Sequence, residues 1–125
     1  MSDAQTIGFT GHRDAVCQEI ELDEIARLFP GATWIHGGAP GFDTQVDEYA
    51  KAHGMPYEKL RPDYKRYDPK VAPLRRNDVI VERANVLVAC YDGRNRGGTY
   101  YTVAKAKEKG IRVLFVTVNP MEQQP

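Results

Sequence analysis

The fold follows from one stretch of the chain, which reads Thr33-Trp34-Ile35-His36-Gly37-Gly38-Ala39-Pro40-Gly41-Phe42-Asp43. Its first four residues are a short, mostly apolar run that predicts a strand, and an amphipathic pattern opened by Gly41 predicts a helix. Paired glycines let backbone amides approach a ligand closely, and the first amides of a helix attract phosphate. The stretch therefore predicts a strand, a glycine-rich turn and a helix, and the turn is either a phosphate site or an ordinary tight connection.

Strand and helix patterns alternate along the rest of the chain. The predicted strands are 7–10, 33–36, 57–60, 86–91 and 113–118, and the predicted helices are 21–29, 41–54, 73–83 and 99–109. This alternation predicts an α/β fold with a doubly wound, Rossmann-like parallel sheet of five strands. Right-handed crossovers give the strand order 3-2-1-4-5, with helices on both faces.

In such a sheet, ligands bind at the carboxyl edge, where the first and fourth strands diverge. The loops predicted to flank that point are Thr10–Asp14 and Asp92–Thr99, with Gly37–Asp43 and the start of the third helix beside them. The candidate ligand-binding residues are Thr10, Gly11, His12, Arg13, Gly37, Gly38, Ala39, Gly41, Asp43, Arg76, Asn77, Asp92, Gly97, Gly98 and Thr99.

Several of these residues also have an ordinary structural interpretation. Arg13 is either a clamp for phosphate or carboxylate or a solvated surface arginine. Asp43 and Thr99 sit where helices are commonly capped, but Asp43 also suits a ribose hydroxyl and Thr99 a phosphate. Asn77 shares the inward face of its helix, so its amide needs either backbone partners or a base or ribose.

Composition limits the class of protein. We predict a single domain over 125 residues, with 119–125 as a flexible tail. The formal net charge of zero provides no overall field for a nucleic-acid backbone or a membrane surface. Cys17 and Cys90 are isolated, and no signal-peptide or membrane-spanning pattern is present, so we expect a soluble, cytoplasmic protein.

The histidines do not predict a metal site. His12 and His36 follow strands near the crevice, but their spacing is not that of metal ligands. Each is either a structural histidine or an acid or base that acts near neutral pH. We predict no metal and no cofactor. Tyr64 and Tyr67, on the long loop before the third helix, are candidates for a lid.

Four short motifs, taken in order, resemble the SLOG superfamily, and they are Thr10-Gly11-His12-Arg13, Gly37-Gly38-Ala39-Pro40-Gly41-Phe42-Asp43, Arg76-Asn77 and Gly97-Gly98-Thr99. That superfamily includes the DNA-processing protein A and the Lonely Guy phosphoribohydrolases, and the likeness is nearest to its small stand-alone YspA/YpsA-related branch. The resemblance implies a Rossmann-like domain that binds or senses a nucleotide or a nucleotide derivative, such as an ADP-ribose-like molecule, at the glycine loops. It also implies a homo-oligomer, for which Val79, Ile80 and Val81 are either interface or core residues.

Two alternatives remain open. One is a nucleoside 5′-monophosphate phosphoribohydrolase, with Asp43 as the carboxylate and Arg76 positioning the phosphate. Lonely Guy enzymes carry a glutamate after a Gly-Thr pair, whereas Tyr100-Tyr101-Thr102 follows Gly98-Thr99 here, so that carboxylate is absent. The other is single-stranded DNA binding, through a basic, tyrosine-rich segment between Tyr57 and Arg76. The zero net charge argues against a nucleic-acid partner.

Overall fold

Strands and helices alternate along the computed structural model, which describes residues 5–121. The strands are β1 (Thr6–Gly11), β2 (Ala15–Val16), β3 (Thr33–His36), β4 (Tyr57–Lys59), β5 (Val86–Cys90), β6 (Arg112–Phe115) and β7 (Asn119–Pro120). The helices are α1 (Glu19–Leu28), α2 (Phe42–Ala52), α3 (Ala72–Arg83) and α4 (Gly97–Lys109). None of these helices is long and apolar enough to cross a membrane.

The main sheet is parallel and has the order β4-β3-β1-β5-β6. Strands β2 and β7 lie outside this sheet, so its strands in chain order are β1, β3, β4, β5 and β6. Numbered in that order, the observed arrangement is 3-2-1-4-5, which confirms the prediction. Strand β1 is central, and its Gly8 is in register with Ile35 on one side and Leu87 on the other. All five residues of β5 are buried, as the continuous apolar run predicts.

Helices cover both faces of the sheet. Val86, Val88 and Cys90 of β5 belong to one hydrophobic cluster with residues of α1 and α2. Leu87 and Ala89, which point to the opposite face, belong to a second cluster with residues of α3 and α4. Successive residues of a strand point to opposite faces of its sheet, which explains this alternation. Because helices pack on both faces, the sheet is doubly wound.

The expected apolar face of α3 is divided between core and surface. Ile80 and Val81 are buried in the second hydrophobic cluster. Val79 is exposed. Two of the three residues considered for an oligomer interface therefore pack within the chain.

A short antiparallel ribbon was missed by the sequence prediction. Ala15 pairs with Pro120 and Val16 with Asn119, so β2 and β7 form a two-stranded ribbon outside the main sheet. The prediction that the flexible tail begins at residue 119 therefore needs correction for Asn119 and Pro120, while residues 122–125 lie outside the described part. Two-residue strands contain no hydrophobic period from which they could be recognised.

Candidate functional site

A cavity of about 960 Å³ opens at the carboxyl edge of the sheet. Most of the predicted site residues line it, and these are Thr10, Gly11, His12, Arg13, Ala39, Asp43, Arg76, Asn77, Gly97, Gly98 and Thr99. The structure thus brings together segments that are far apart in sequence. Four predicted residues are not part of the wall, namely Gly37, Gly38, Gly41 and Asp92.

The backbone amides of the glycine loop, residues 37–41, already have acceptors within the protein. The amides of Gly37 and Ala39 both donate to Oδ2 of Asp43, each at 3.2 Å. The amide of Gly38 donates to Nδ1 of His36 at 3.0 Å. Because these three donors are satisfied internally, the loop does not present them to an anion. Where the sequence suggested a phosphate site at Gly37 and Gly38, the structure has a turn held by internal hydrogen bonds.

Arg76 braces the same loop from the other side. Its Nη1 donates to the carbonyl oxygen of Gly37 and, at 3.2 Å, to that of Leu60, while its Nε donates to Oδ1 of Asn77 at 2.7 Å. A Cβ on Gly37 would overlap the guanidinium, so glycine is needed there for this close approach. Arg76 therefore supports the cavity wall through the loop, and this role differs from the phosphate positioner that the sequence suggested.

Gly41 allows the start of α2 to approach the backbone that follows β1 closely. Its φ of +79° lies in the left-handed region, which L side chains rarely adopt. A Cβ at this position would also lie 2.5 Å from the carbonyl oxygen of Arg13. Gly41 is thus a structural residue that allows Asp43, two positions later, to reach the glycine loop.

Asp43 is a buried carboxylate at the cavity wall, with 6% of its surface exposed. Its Oδ2 accepts the two loop amides, whereas its buried Oδ1 has no hydrogen-bond partner among the described residues. Burial raises the pKa of Asp43 to about 6, against the opposing effects of the amide of Ala39, Arg76 and the amide of Gly37. A buried acceptor without a partner costs free energy, and because Oδ1 has almost no exposed surface it lies within the wall rather than at the surface of the cavity.

His12 and Asp92 hold the loop after β5 in place. The amide of Asp92 donates to Nε2 of His12 at 3.0 Å. The carboxylate of Asp92 is held by Arg94, whose Nε lies 3.0 Å from both oxygens, and this keeps the pKa of Asp92 well below its usual range. Asp92 faces its own loop, which explains why it is not part of the cavity wall.

The start of α4 lies at the cavity and has the chemical features that favour an anion. The helix begins at Gly97, and no side chain of the described residues caps its first turn. The first amides of a helix have no partner within it, and the helix dipole favours negative charge there. Three exposed arginines line the same cavity, namely Arg13, Arg94 and Arg96. Sequence reasoning missed Arg94 and Arg96, although two arginines in a glycine-rich turn were a usable signal.

The rest of the wall is mixed in character. An apolar wall is formed between α3 and α4 by Pro73, Leu74, Tyr100, Tyr101 and Ala104. Further charged residues are Asp14, Lys70, Lys105 and Glu108. Within residues 5–121, no three histidine, cysteine or acidic side chains are grouped so that they could hold a metal ion. The cavity therefore combines a cationic end, the buried carboxylate of Asp43 and an apolar wall.

Comparisons with known proteins agree with this architecture. Residues 6–67 match the model of the YspA, cpYpsA-related SLOG family, called YAcAr. The fold is similar to the X-ray structure of DNA processing protein A (DprA) from Streptococcus pneumoniae, with a TM-score of 0.65 and 16% sequence identity. That similarity covers 90% of this chain and 50% of the other, so the chain spans about half the length of that protein. No curated protein sequence matches the chain. The chain is therefore similar in sequence to the YspA, cpYpsA-related SLOG family over residues 6–67, and it shares the fold of DprA over most of its length.

Proposed function

We propose that the protein binds a nucleotide or a nucleotide derivative in this cavity, with a phosphate group at the start of α4. The observation that carries the proposal is the uncapped first turn of α4, which shares the cavity with three exposed arginines. Helix N-termini and arginine side chains both bind phosphate in proteins, and here they line one cavity.

The charge of the cavity wall supports an anionic ligand. Its basic side chains are Arg13, Lys70, Arg76, Arg94, Arg96 and Lys105, and its acidic side chains are Asp14, Asp43 and Glu108. Arg94 is paired with Asp92, so five basic residues against three acidic ones give a local excess of positive charge, whereas the formal net charge of the whole chain is zero. The excess at this edge of the sheet therefore acts locally on a bound anion rather than as an overall field.

Calorimetry against a panel of nucleoside monophosphates, ADP-ribose and NAD tests the proposal. We expect one or more members to bind, and the double variant Arg13→Gln/Arg96→Gln to weaken that binding at least tenfold, because each lost ion contact to phosphate contributes about 1 kcal/mol or more. Arg112→Gln is the matched control, since Arg112 starts β6 at the opposite edge of the sheet. Absence of binding to every member at millimolar concentration would overturn the proposal for these ligands.

A second candidate function is hydrolysis of the N-glycosidic bond of a nucleotide, and the state of Asp43 favours it. A carboxylate at the cavity wall suits the stabilisation of positive charge that develops on a sugar during such a reaction. Chromatographic detection of free base after incubation with AMP, GMP and CMP tests it. Asp43→Asn should abolish release of base while it retains binding, and release at the wild-type rate would refute the role of Asp43.

A further inference from the structure

Asn77 of α3 is a buried polar residue at the cavity wall, with 9% of its surface exposed. Its Oδ1 accepts a hydrogen bond from Nε of Arg76 at 2.7 Å. Because a guanidinium group only donates, this contact identifies the end of the carboxamide that carries the oxygen. The NH₂ group is therefore the end of Asn77 that is left for a further contact.

The NH₂ group of Asn77 lies beside the start of α4. A Cβ added to Gly98, the second residue of that helix, would lie 3.6 Å from Nδ2 of Asn77. Within one residue, Cβ lies about 2.5 Å from the backbone nitrogen, so Nδ2 is no more than about 6 Å from the amide nitrogen of Gly98. The side-chain donor thus adjoins the first turn of α4, which no side chain of the described residues caps.

The hydrogens of this NH₂ group have no acceptor in the part of the chain that the structure describes. In contrast to Oδ1 of Asp43, Nδ2 of Asn77 is not closed off from solvent. Asn77, Gly98 and Thr99 all line the cavity, so the side-chain donor and the first turn of α4 open to the same space. An amide NH₂ group donates and does not accept, so the group that it suits must be a hydrogen-bond acceptor.

A single phosphate group can accept hydrogen bonds from both kinds of donor. Two hydrogen bonds of about 2.9 Å let donors up to about 6 Å apart share one oxygen, and the other oxygens of a phosphate reach farther. The greatest possible separation of Nδ2 of Asn77 from the amide nitrogen of Gly98 falls within this limit. The exposed side chains of Arg13 and Arg96 line the same cavity and supply the positive charge.

We propose that Asn77 is a phosphate-binding residue, whose NH₂ group donates to the same anion as the first amides of α4. This inference rests on the proposed function and adds a donor from α3, so the anion bridges α3 and α4. The sequence left the partner of Asn77 open between backbone groups and a base or ribose. The position of Nδ2 beside Gly98 favours the phosphate instead, because that is where the helix attracts negative charge.

Titration of the wild-type protein with inorganic phosphate, followed by NMR, tests the proposal directly. The side-chain NH₂ signals of Asn77 should shift with the same midpoint as the backbone amides of Gly97 and Gly98. The NH₂ signals of Asn85 are the internal control and should stay in place, because Asn85 precedes β5 at the opposite edge of the sheet. Shifts of the α4 amides without a shift of the Asn77 signals would overturn the role of Asn77. If neither set shifts and no nucleotide binds, the proposed function fails and this inference fails with it.

Asn77→Asp provides the second measurement. One oxygen of the new carboxylate can still accept from Nε of Arg76, whereas the other replaces the NH₂ group and repels an anion. Phosphate should therefore bind at least about tenfold more weakly, because a donor to a charged group is lost.

The matched control is Asn85→Asp, which makes the same change of charge at the other edge of the sheet. Its carboxylate can still accept the amide of Thr6, as Oδ1 of Asn85 does at 2.7 Å, so phosphate binding should stay at the wild-type level. Binding that is equally strong in Asn77→Asp and Asn85→Asp would contradict the proposal. The wild-type titration decides the matter by itself if Asn77→Asp does not fold.

Discussion

Nδ1 of His36 accepts the amide hydrogen of Gly38 at 3.0 Å, and Nε2 of the same ring lies 2.9 Å from Oδ1 of Asp47. A ring that accepts at Nδ1 carries its hydrogen on Nε2, so these two contacts define a neutral imidazole that donates to Asp47. Burial lowers the pKa of His36, Asp47 opposes this effect, and Lys59 and Arg76 add to the lowering. The neutral ring therefore accepts the amide hydrogen of Gly38 and stabilises this conformation of the glycine loop.

We predict that His36 gains its proton at a lower pH than an unperturbed histidine, whose pKa is about 6.5, because burial lowers the pKa of His36. Nitrogen-15 NMR of the imidazole should show the Nε2–H tautomer at neutral pH and a protonation midpoint below that of an unperturbed histidine. Because the unfolded chain takes up this proton first, the contribution of His36 to stability is complete above pH 6.5 and declines as the pH falls. A protonation midpoint at or above about 6.5 would contradict the prediction.

Asp43 has the opposite dependence on pH, and Asp43→Asn measures it. The pKa of this carboxyl rises from 3.8 to about 6 on folding, so its contribution to stability is present below about pH 4 and is lost as the pH rises through 6. At about pH 7.5 the neutral variant should be more stable than the wild type by up to about 3 kcal/mol, and near pH 4 the two should be alike. Urea unfolding at both pH values measures the difference, and His36 contributes equally to both proteins. Parallel stability curves would show that burial does not raise this pKa.

The sheet could be predicted from the sequence because each buried strand leaves a local signal. The apolar run at 86–91 indicates a strand covered on both faces, and β5 is buried throughout. The β2–β7 ribbon leaves no such signal, because it is only two residues long on each side and Asn119 and Pro120 pair with residues about a hundred positions earlier. Its formation depends on where the main sheet places residues 15–16 and 119–120.

The candidate site could be predicted only as a location. Strand order brings Arg13, Asp43 and Gly98 to one cavity, and that order follows from the alternation of helices and strands. Whether the amides of a glycine loop are open depends on side-chain rotamers, and here His36 and Asp43 turn back onto the loop. The sequence alone does not determine which rotamers these two side chains adopt. The amides that remain uncapped by a side chain are those of the second glycine loop.

Two glycines at the site should respond differently to alanine. At Gly41, alanine combines a φ of +79° with a Cβ 2.5 Å from the carbonyl oxygen of Arg13, so we expect a loss of at least about 2 kcal/mol in the free energy of unfolding. At Gly98 the nearest atom to an added Cβ is Nδ2 of Asn77 at 3.6 Å, which is an ordinary contact. Because Gly98 lies within α4, alanine there should leave stability unchanged or raise it by up to about 1 kcal/mol. Thermal unfolding compares the two variants, and a mild effect at Gly41 would show that the turn can rearrange.

The last prediction concerns where an anion binds when no other part of a ligand is present. Titration with inorganic phosphate should shift the backbone amide NMR signals of Gly97, Gly98 and Thr99, because the first turn of α4 has no side-chain cap. The signals of Gly37 and Gly38 should shift less, since Asp43 and His36 already accept their hydrogens.

Variants near α4 make the same experiment specific. Arg96→Gln should weaken the phosphate-induced shifts, and Arg112→Gln, at the other edge of the sheet, should not. Gly38→Val is unsuitable for locating the anion, because Gly38 has a φ of +76° and an added Cβ would lie 2.9 Å from the side chain of Lys59, so the variant would disturb the loop itself. Larger shifts at Gly37 and Gly38 than at Gly97 and Gly98 would mean that phosphate displaces Asp43 or His36, and the anion site would then belong to the first glycine loop.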